Sequence, residues 1–107
     1  MGDLVSFPRL RPEAPPEPLW RTALGQEVRE RRRGRNERLV DVAGRAGISA
    51  QYLSEIERGH KEASSEVLFS IATALGLSLS DLMSAISAKL AVLEAERAPR
   101  GRMVVAA

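Results

Sequence analysis

The stretch AGRAGISAQYLSEIERG, residues 43–59, decides the fold of this 107-residue chain. Ala43 and Gly47 lie four residues apart, so a small side chain faces the next helix and a glycine permits a sharp turn. Ser49 is placed to cap the helix that follows, which has about ten residues and ends at Gly59. The stretch therefore predicts two short helices joined by a tight turn.

The second of these helices carries more polar residues than a core-facing helix needs. Leu53 and Ile56 are its plainly apolar residues, and with Ile48 they close the angle between the two helices from inside. Gln51 and Glu55 lie one turn apart on another face. This pattern is typical of a helix-turn-helix, whose second helix enters the DNA major groove in DNA-binding examples.

The rest of the chain predicts an all-α protein. From residue 19 to 97 there is no proline, apolar residues recur at helical spacing, and no strand pattern competes. Capping residues and glycines place five helices at about 20–33, 38–46, 49–59, 64–76 and 78–97. Residues 1–18 contain five prolines and predict a flexible arm, and residues 98–107 predict a flexible tail.

Composition excludes several classes of function. The chain has no cysteine and one histidine, so thiol catalysis is excluded and neither a metal site nor another cofactor is expected. We find no glycine-rich phosphate loop and no paired carboxylates, so an enzyme is not expected. No apolar run reaches about 18 residues and no signal peptide is recognised, so we expect a cytoplasmic protein with no membrane partner. Six arginines between Arg29 and Arg38 suit phosphate oxygens, or form a solvated helix face.

We expect the polar face of the predicted third helix to contact DNA bases. The candidate residues for these contacts are Ser49, Ala50, Gln51, Tyr52 and Glu55. The amide of Gln51 can donate and accept together, which matches the adenine edge, and Glu55 could accept from a cytosine amino group. Ala50 could touch a thymine methyl group. The alternatives are ordinary helix-forming or exposed residues, and for Tyr52 a ring packed on the second helix with its hydroxyl outward.

The run AGISAQYLSEIERGHKEASSEVLFSIATALGLSLSDLM resembles the repressor-type helix-turn-helix regulators named after a xenobiotic response element. The resemblance covers about residues 20–86. YLSEIERG followed by KEASSE is similar to the actinobacterial regulators of Clp protease genes. The resemblance implies a five-helix, lambda-repressor-like fold, a symmetric dimer and a palindromic operator, with activation common in the Clp-gene subgroup. It also implies a structural ion pair between Arg32 and Glu57.

Contacts to the DNA backbone are expected at both ends of the helix-turn-helix. Phage repressors begin the second helix with a threonine cap and a phosphate-binding glutamine, whereas this chain has Arg38 and Leu39. This difference moves the expected phosphate contacts to Arg35 and Arg38. The positions that follow the third helix are also expected near phosphates, namely Arg58, His60, Lys61 and Ser64. The alternatives for these four are a solvated turn and a simple helix cap.

The fifth helix and the last residues suggest partners. Ile86, Leu90 and Leu93 continue an apolar stripe past the expected core, which predicts a dimer interface. They could instead pack on their own domain or on the N-terminal arm. The end of the chain, Val105–Ala107, resembles the C-terminal tags that Clp proteases recognise, with an unrelated unstructured end as the alternative.

The expected partners are thus double-stranded DNA and a second copy of the chain, with RNA polymerase and Clp protease as further candidates. A regulator of this fold can act as an activator or as a repressor, because the sign depends on where the operator lies. An antitoxin that also represses its own gene is the remaining alternative. From the resemblance we expect an activator of Clp protease genes and related proteostasis genes, with the repressor and the antitoxin as alternatives.

Overall fold

The computed structural model describes residues 18–97, and within them the chain forms five α-helices. In chain order they are α1 (Leu19–Gly34), α2 (Leu39–Ala46), α3 (Ala50–Glu57), α4 (Ser65–Ala74) and α5 (Leu79–Arg97). This part of the chain contains no strand, and the predicted all-α fold class is confirmed. The arm and tail predicted at the two ends lie outside the described residues, except for Pro18.

Serine side chains begin three of the helices, as the sequence indicates. The hydroxyls of Ser49, Ser64 and Ser78 each accept a hydrogen bond from the backbone N–H three residues later, at 3.0, 3.2 and 3.0 Å. A cap of this kind stabilises a helix by about 1 kcal/mol. At α2 the cap is Arg38, whose extended backbone donates its N–H to the carboxylate of Asp41 at 3.1 Å. The helix predicted to start at Arg38 therefore starts one residue later.

A glycine turn sets the angle between α2 and α3. Gly47 has a φ of 74°, in the left-handed region that glycine adopts without steric cost. The N–H of Ile48 donates to the carbonyl of Ala43 at 3.0 Å, which completes a common C-terminal capping arrangement. Ala43 is only 2% exposed. The small side chain and the left-handed glycine therefore occupy the places that the helix-turn-helix pattern requires.

The core consists of aliphatic side chains from all five helices. Eight large side chains are fully buried, namely Leu24, Val28, Val42, Leu53, Ile56, Ile71, Leu82 and Ile86. Burying each of them contributes about 1.5–3 kcal/mol relative to leaving it in water. α3 packs against both α1 and α2, while α1 also packs against α5 and α2 against α4. The short α3 is thus held from two sides, by the 16-residue α1 and by α2, which has the same eight-residue length as α3.

Gly25 lets α1 approach the end of α3 very closely. A Cβ atom at this position would lie 2.5 Å from the carbonyl oxygens of Ile56 and Glu57. No side chain larger than hydrogen fits there without a shift of backbone against backbone. The role of Gly25 could not be predicted from the sequence, because a glycine inside a helical pattern carries no sign of the partner that crosses it.

The structure corrects the predicted dimer interface on α5. Ile86 is 2% exposed and belongs to the core of its own domain, so it is not available to a partner. Leu90 and Leu93 are half-buried and pack against the same core. Val92, which was not predicted, is 56% exposed. The apolar stripe of α5 therefore mostly serves its own domain, and the exposed apolar side chains of this helix are Met83 near its start and Val92 in its C-terminal half.

Within residues 18–97, no single helix is long and apolar enough to cross a membrane. α4 and α5 satisfy the length and composition criteria only as a pair, and the two helices are bent by 101° at the break between them. Their inward residues, such as Ile71 and Leu82, are buried in the core.

Candidate nucleic-acid interface

α3 presents two faces with different surroundings. Leu53, Ile56 and Glu57 are buried against the domain, whereas Gln51 is exposed and Glu55 is half-buried. Ala50 is half-buried and packs on the core, so only part of its methyl group faces outward. The predicted polar face is thus present, and Gln51 is the candidate base-contacting side chain that projects most freely from it.

Ser49 and Tyr52 have structural contacts that limit their part in this face. The Oγ atom of Ser49 accepts the N–H of Tyr52, although its hydroxyl proton stays free to donate. The ring of Tyr52 packs against the core and its hydroxyl donates to the backbone carbonyl of Glu62 at 2.9 Å. Tyr52 thus ties the exposed loop after α3 to α3 itself, and its contact with a base or a phosphate stays a prediction.

The predicted ion pair between Arg32 and Glu57 forms in the structure. Two guanidinium nitrogens of Arg32 lie 2.7 and 2.9 Å from the two carboxylate oxygens of Glu57, in a bidentate arrangement. The third nitrogen donates to the backbone carbonyl of Glu37 at 2.9 Å. The hydrogen bonds with Glu57 raise the pKa of Arg32, so this guanidinium stays charged at any physiological pH. One side chain therefore joins α1, the loop before α2 and the end of α3.

The segment after α3 carries most of the predicted backbone contacts. Arg58, His60 and Lys61 are exposed and follow directly on the C-terminus of α3, and Ser64 caps α4 close by in sequence. Arg58 donates to the Oγ atom of Ser54 at 2.8 Å, which directs its guanidinium along the outer side of α3. Arg58 therefore lies beside α3, and the N–H of His60 donates to the carbonyl of Glu55 at 2.9 Å, which holds the start of this segment against the end of the helix.

Arg38 stands at the other end of the helix-turn-helix, at the start of α2. Its guanidinium donates two hydrogen bonds to the carboxylate of Asp41, at 3.1 and 3.2 Å. The hydrogen bonds with Arg38 lower the pKa of Asp41 below its usual value. The Arg38 side chain is 78% exposed, and an exposed ion pair is weak in water. Arg38 can therefore exchange this carboxylate for a phosphate.

The structure separates Arg35 from the other predicted backbone contacts. Its guanidinium pairs with Glu37 at 3.0 Å and donates to the carbonyl of Leu75, just after the C-terminus of α4. Arg45 pairs with the same carboxylate at 2.7 Å and donates to the carbonyl of Ala74 at 2.7 and 3.2 Å. Cations at a helix C-terminus are stabilised by the partial negative charge of its free carbonyls. In the structure, Arg35 therefore caps α4 at the end opposite Ser64, and its predicted contact with a phosphate stays a prediction.

The pairing of Arg35 and Arg45 with the same carboxylate, that of Glu37, was not predicted from the sequence. Glu37 follows the arginine-rich segment and Arg45 lies on α2, and nothing in their spacing shows that the end of α4 comes between them. The hydrogen bonds from Arg45, and then from Arg35, lower the pKa of Glu37. The group is structural, since its guanidinium nitrogens are directed at backbone carbonyls of the same domain.

The sequence of residues 27–82 matches the family model described as "Helix-turn-helix". This range spans the second half of α1 through the start of α5, and thus the whole arrangement described above. The chain belongs to this family. Its members are DNA-binding regulators of transcription and do not form an enzyme class. In residues 18–97, no three histidine or carboxylate side chains come together in a way that could hold a metal ion.

Relatives of known name extend the likeness beyond the helix-turn-helix. The transcriptional regulator ClgR of Mycobacterium tuberculosis is 42% identical over 86 residues, which cover 78% of this chain and 77% of the relative. The crystal structure of the clp gene regulator ClgR from Corynebacterium glutamicum has 42% identity and a TM-score of 0.69. That match covers 76% of this chain and 86% of the solved chain. The chain is therefore a homologue of ClgR-type transcriptional regulators.

A more distant solved structure shows the breadth of the fold. The restriction-modification controller protein C.AhdI from Aeromonas hydrophila has 27% identity and a TM-score of 0.56. The match covers 58% of this chain and 94% of the controller protein. Much of the helical frame is thus shared with a controller protein of restriction-modification, so the frame alone does not specify the genes under control.

Proposed function

We propose that the chain binds a specific palindromic operator as a homodimer and activates Clp protease genes and related proteostasis genes. The observation that carries the proposal is the two-sided α3, which buries Leu53 and Ile56 and leaves Gln51 exposed. An exposed polar face on the second helix of a helix-turn-helix is the feature that enters a major groove. The Clp-gene target is supported by the similarity to the clp gene regulator ClgR from Corynebacterium glutamicum.

The decisive experiment is genome-wide mapping of the DNA that the chain binds in cells. We expect a palindromic site upstream of protease genes, with half-sites about one helical turn apart. Gln51→Ala should cost about 1–3 kcal/mol at one base-pair position per half-site and relax specificity there. Bound sites that share no sequence would overturn specific recognition, and specific sites far from protease genes would overturn only the proposed targets.

Dimer formation is proposed for the C-terminal half of α5. One helix-turn-helix reads few base pairs, and two-fold pairing places two of them on successive turns of DNA. Val92 is 56% exposed, and Leu90 and Leu93 are half-buried beside it. We expect Val92→Glu to shift the chain to a monomer in sedimentation experiments and to weaken operator binding, whereas Gly44→Ala, on another helix, leaves the mass unchanged. A Val92→Glu variant that stays dimeric would place the interface elsewhere.

The sign of regulation and the remaining partners follow from the proposed targets. An activator in the cytoplasm would contact RNA polymerase at the promoter, and deletion of its gene should lower expression of the genes beside its binding sites. Higher expression after deletion would instead favour an autoregulating repressor or an antitoxin.

Recognition of Val105, Ala106 and Ala107 by Clp protease concerns residues outside the described range. Replacement of Ala106 and Ala107 by aspartate should lengthen the lifetime of the protein, and an unchanged lifetime would refute the tag.

A further inference from the structure

A small cleft beside α3 is lined mainly by arginine. It has a volume of about 200 Å³ and lies between α1, the first residue of α2 and the outer side of α3. Four arginines and one glutamate line it, and the glutamate is Glu57, which already pairs with Arg32. The other three arginines, Arg29, Arg33 and Arg58, leave the cleft with a strong excess of positive charge.

Unlike most arginines of the domain, these three form no ion pair with a carboxylate within residues 18–97. Six of the ten arginines in residues 18–97 form an ion pair with a carboxylate of the same domain. Within this range only Arg29, Arg33, Arg58 and Arg97 do not, and three of these four line the one cleft. Like charges held together without a carboxylate partner destabilise a fold. An anion in the cleft would remove this repulsion.

The position of the cleft fits a phosphate of bound DNA. Ser54 and Arg58 belong both to the cleft and to the outer side of α3, within about two turns of Gln51. Leu39, the first residue of α2, also lines the cleft, and the start of a helix attracts anions. Leu39 itself has no side chain that can bind phosphate. Arg29 and Arg33, one turn apart on α1, bring guanidinium groups to this place from another helix.

We propose that this cleft binds one phosphate of the DNA backbone at the edge of the major groove in each half-site. Arg29 and Arg33 are its main phosphate contacts, and Arg58 closes it from the side of α3. The ligand is a phosphodiester, which planar guanidinium groups can grip with paired hydrogen bonds. The contact fixes the register of α3 without reading sequence. This inference rests on the proposed function, since it assumes that α3 lies in the major groove.

The first test compares the salt dependence of binding for the double variant R29Q/R33Q with that of R97Q. Arg97 ends α5, lies outside the cleft and also has no ion pair in the described range, so R97Q is the matched control. Each lost phosphate contact should lower the slope of log K against log salt by about 0.9. We expect the double variant to lose affinity by the same factor for the operator and for a scrambled duplex. A slope equal to that of R97Q would overturn the proposal.

The second test locates the phosphate by replacing backbone phosphates of the operator one at a time with neutral methylphosphonate. In the wild-type protein, one position per half-site should weaken binding, and in R29Q/R33Q the same replacement should have little further effect. If the phosphate replacement and R29Q/R33Q each weaken binding by the same amount whether or not the other change is present, these arginines contact a different group, or none. Both variants must keep the wild-type circular dichroism and an unfolding midpoint no lower than that of the wild type.

The two tests also separate this proposal from the proposed function. If the wild-type protein shows no preference between operator and scrambled duplex, specific recognition fails, while the salt slopes of R29Q/R33Q still decide whether the cleft binds phosphate. If the preference is strong but the slopes of the variant and wild type agree, the cleft proposal fails alone.

The variant R29K/R33K is a further comparison, because it keeps the charge and loses the planar guanidinium group. We expect it to recover the slope but only part of the affinity.

Discussion

Replacement of Gly25 by alanine tests how closely α1 and α3 must approach. An added Cβ atom would lie 2.5 Å from the carbonyl oxygens of Ile56 and Glu57 and 2.9 Å from the carbonyl carbon of Glu57. Favourable non-bonded contacts between heavy atoms lie at about 3.5–4.0 Å, so the methyl group is about 1 Å too close. Because all three atoms are backbone atoms at the end of α3, the clash cannot be relieved by a change of rotamer. The two helices have to move apart.

The expected cost follows from two opposing effects. Overpacking of this kind destabilises a fold by about 1–3 kcal/mol, and backbone neighbours place this site at the upper end. Alanine also favours a helix interior over glycine by about 1 kcal/mol, which opposes the loss. The net effect is a loss of about 2 kcal/mol, which lowers the Tm of a domain of this size by about 8–16 °C. Separation of α1 from α3 would also stretch the ion pair of Arg32 with Glu57.

The measurement is urea unfolding followed by circular dichroism, with Gly44→Ala as the matched control. Gly44 lies inside α2, and a Cβ atom there meets nothing within 4 Å. The same substitution should therefore stabilise the protein at Gly44 by up to about 1 kcal/mol and destabilise it at Gly25. The opposite signs separate steric clash from helix propensity. A Gly25→Ala variant at least as stable as wild type would refute the close approach of the two helices.

Three further predictions concern polar contacts of the same region. Glu57→Ala should cost about 3 kcal/mol in urea unfolding, because it leaves the guanidinium of Arg32, whose side chain is only 11% exposed, without its carboxylate partner, and a loss below about 1 kcal/mol would mean that the pair is effectively solvated. Tyr52→Phe removes the hydrogen bond to the carbonyl of Glu62 and should cost about 0.5–1.5 kcal/mol of stability while base preference stays unchanged. A changed base preference would show that Tyr52 contacts a base. The depressed pKa of Glu37 stabilises the fold above its unfolded value of about 4.5, and this stabilisation disappears as pH falls through the lower folded value. Unfolding midpoints from pH 7 to 3 should therefore fall less for Glu37→Gln than for wild type, and parallel curves would contradict this reasoning.

Local signals in the sequence were enough to predict most of the frame. The capping serines and the glycine at position 47 act within four residues of themselves, so their roles can be read without knowledge of the fold. The apolar spacing likewise separated the buried face of α3 from its polar face. The resemblance to known regulators supplied the pairing of Arg32 with Glu57, which lie 25 positions apart and which no local rule would join.

The error at Ile86 and the roles that were not predicted have a common physical cause. Periodicity shows that Ile86 faces the apolar side of α5, but it does not show whether that side meets the same domain or a second copy. Charge shows that Arg35 seeks an anion or a carbonyl, but not that the end of α4 lies within its reach. Gly25 and Arg45 matter only through residues far away in the sequence, namely the ends of α3 and α4. Such roles depend on how helices cross, which a single sequence does not display.

The division of α3 into a packing face and an exposed face has a consequence for how regulators of this kind diverge. Substitution of an exposed residue away from special contacts usually changes stability by less than about 0.5 kcal/mol. Variation at Gln51 is therefore nearly neutral for folding, while Leu53, Ile56 and Glu57 are constrained by the domain. After gene duplication, a copy could acquire a new operator by changes on one side of an eight-residue helix and keep the frame intact. The low cost of such changes would allow one fold to serve many promoters.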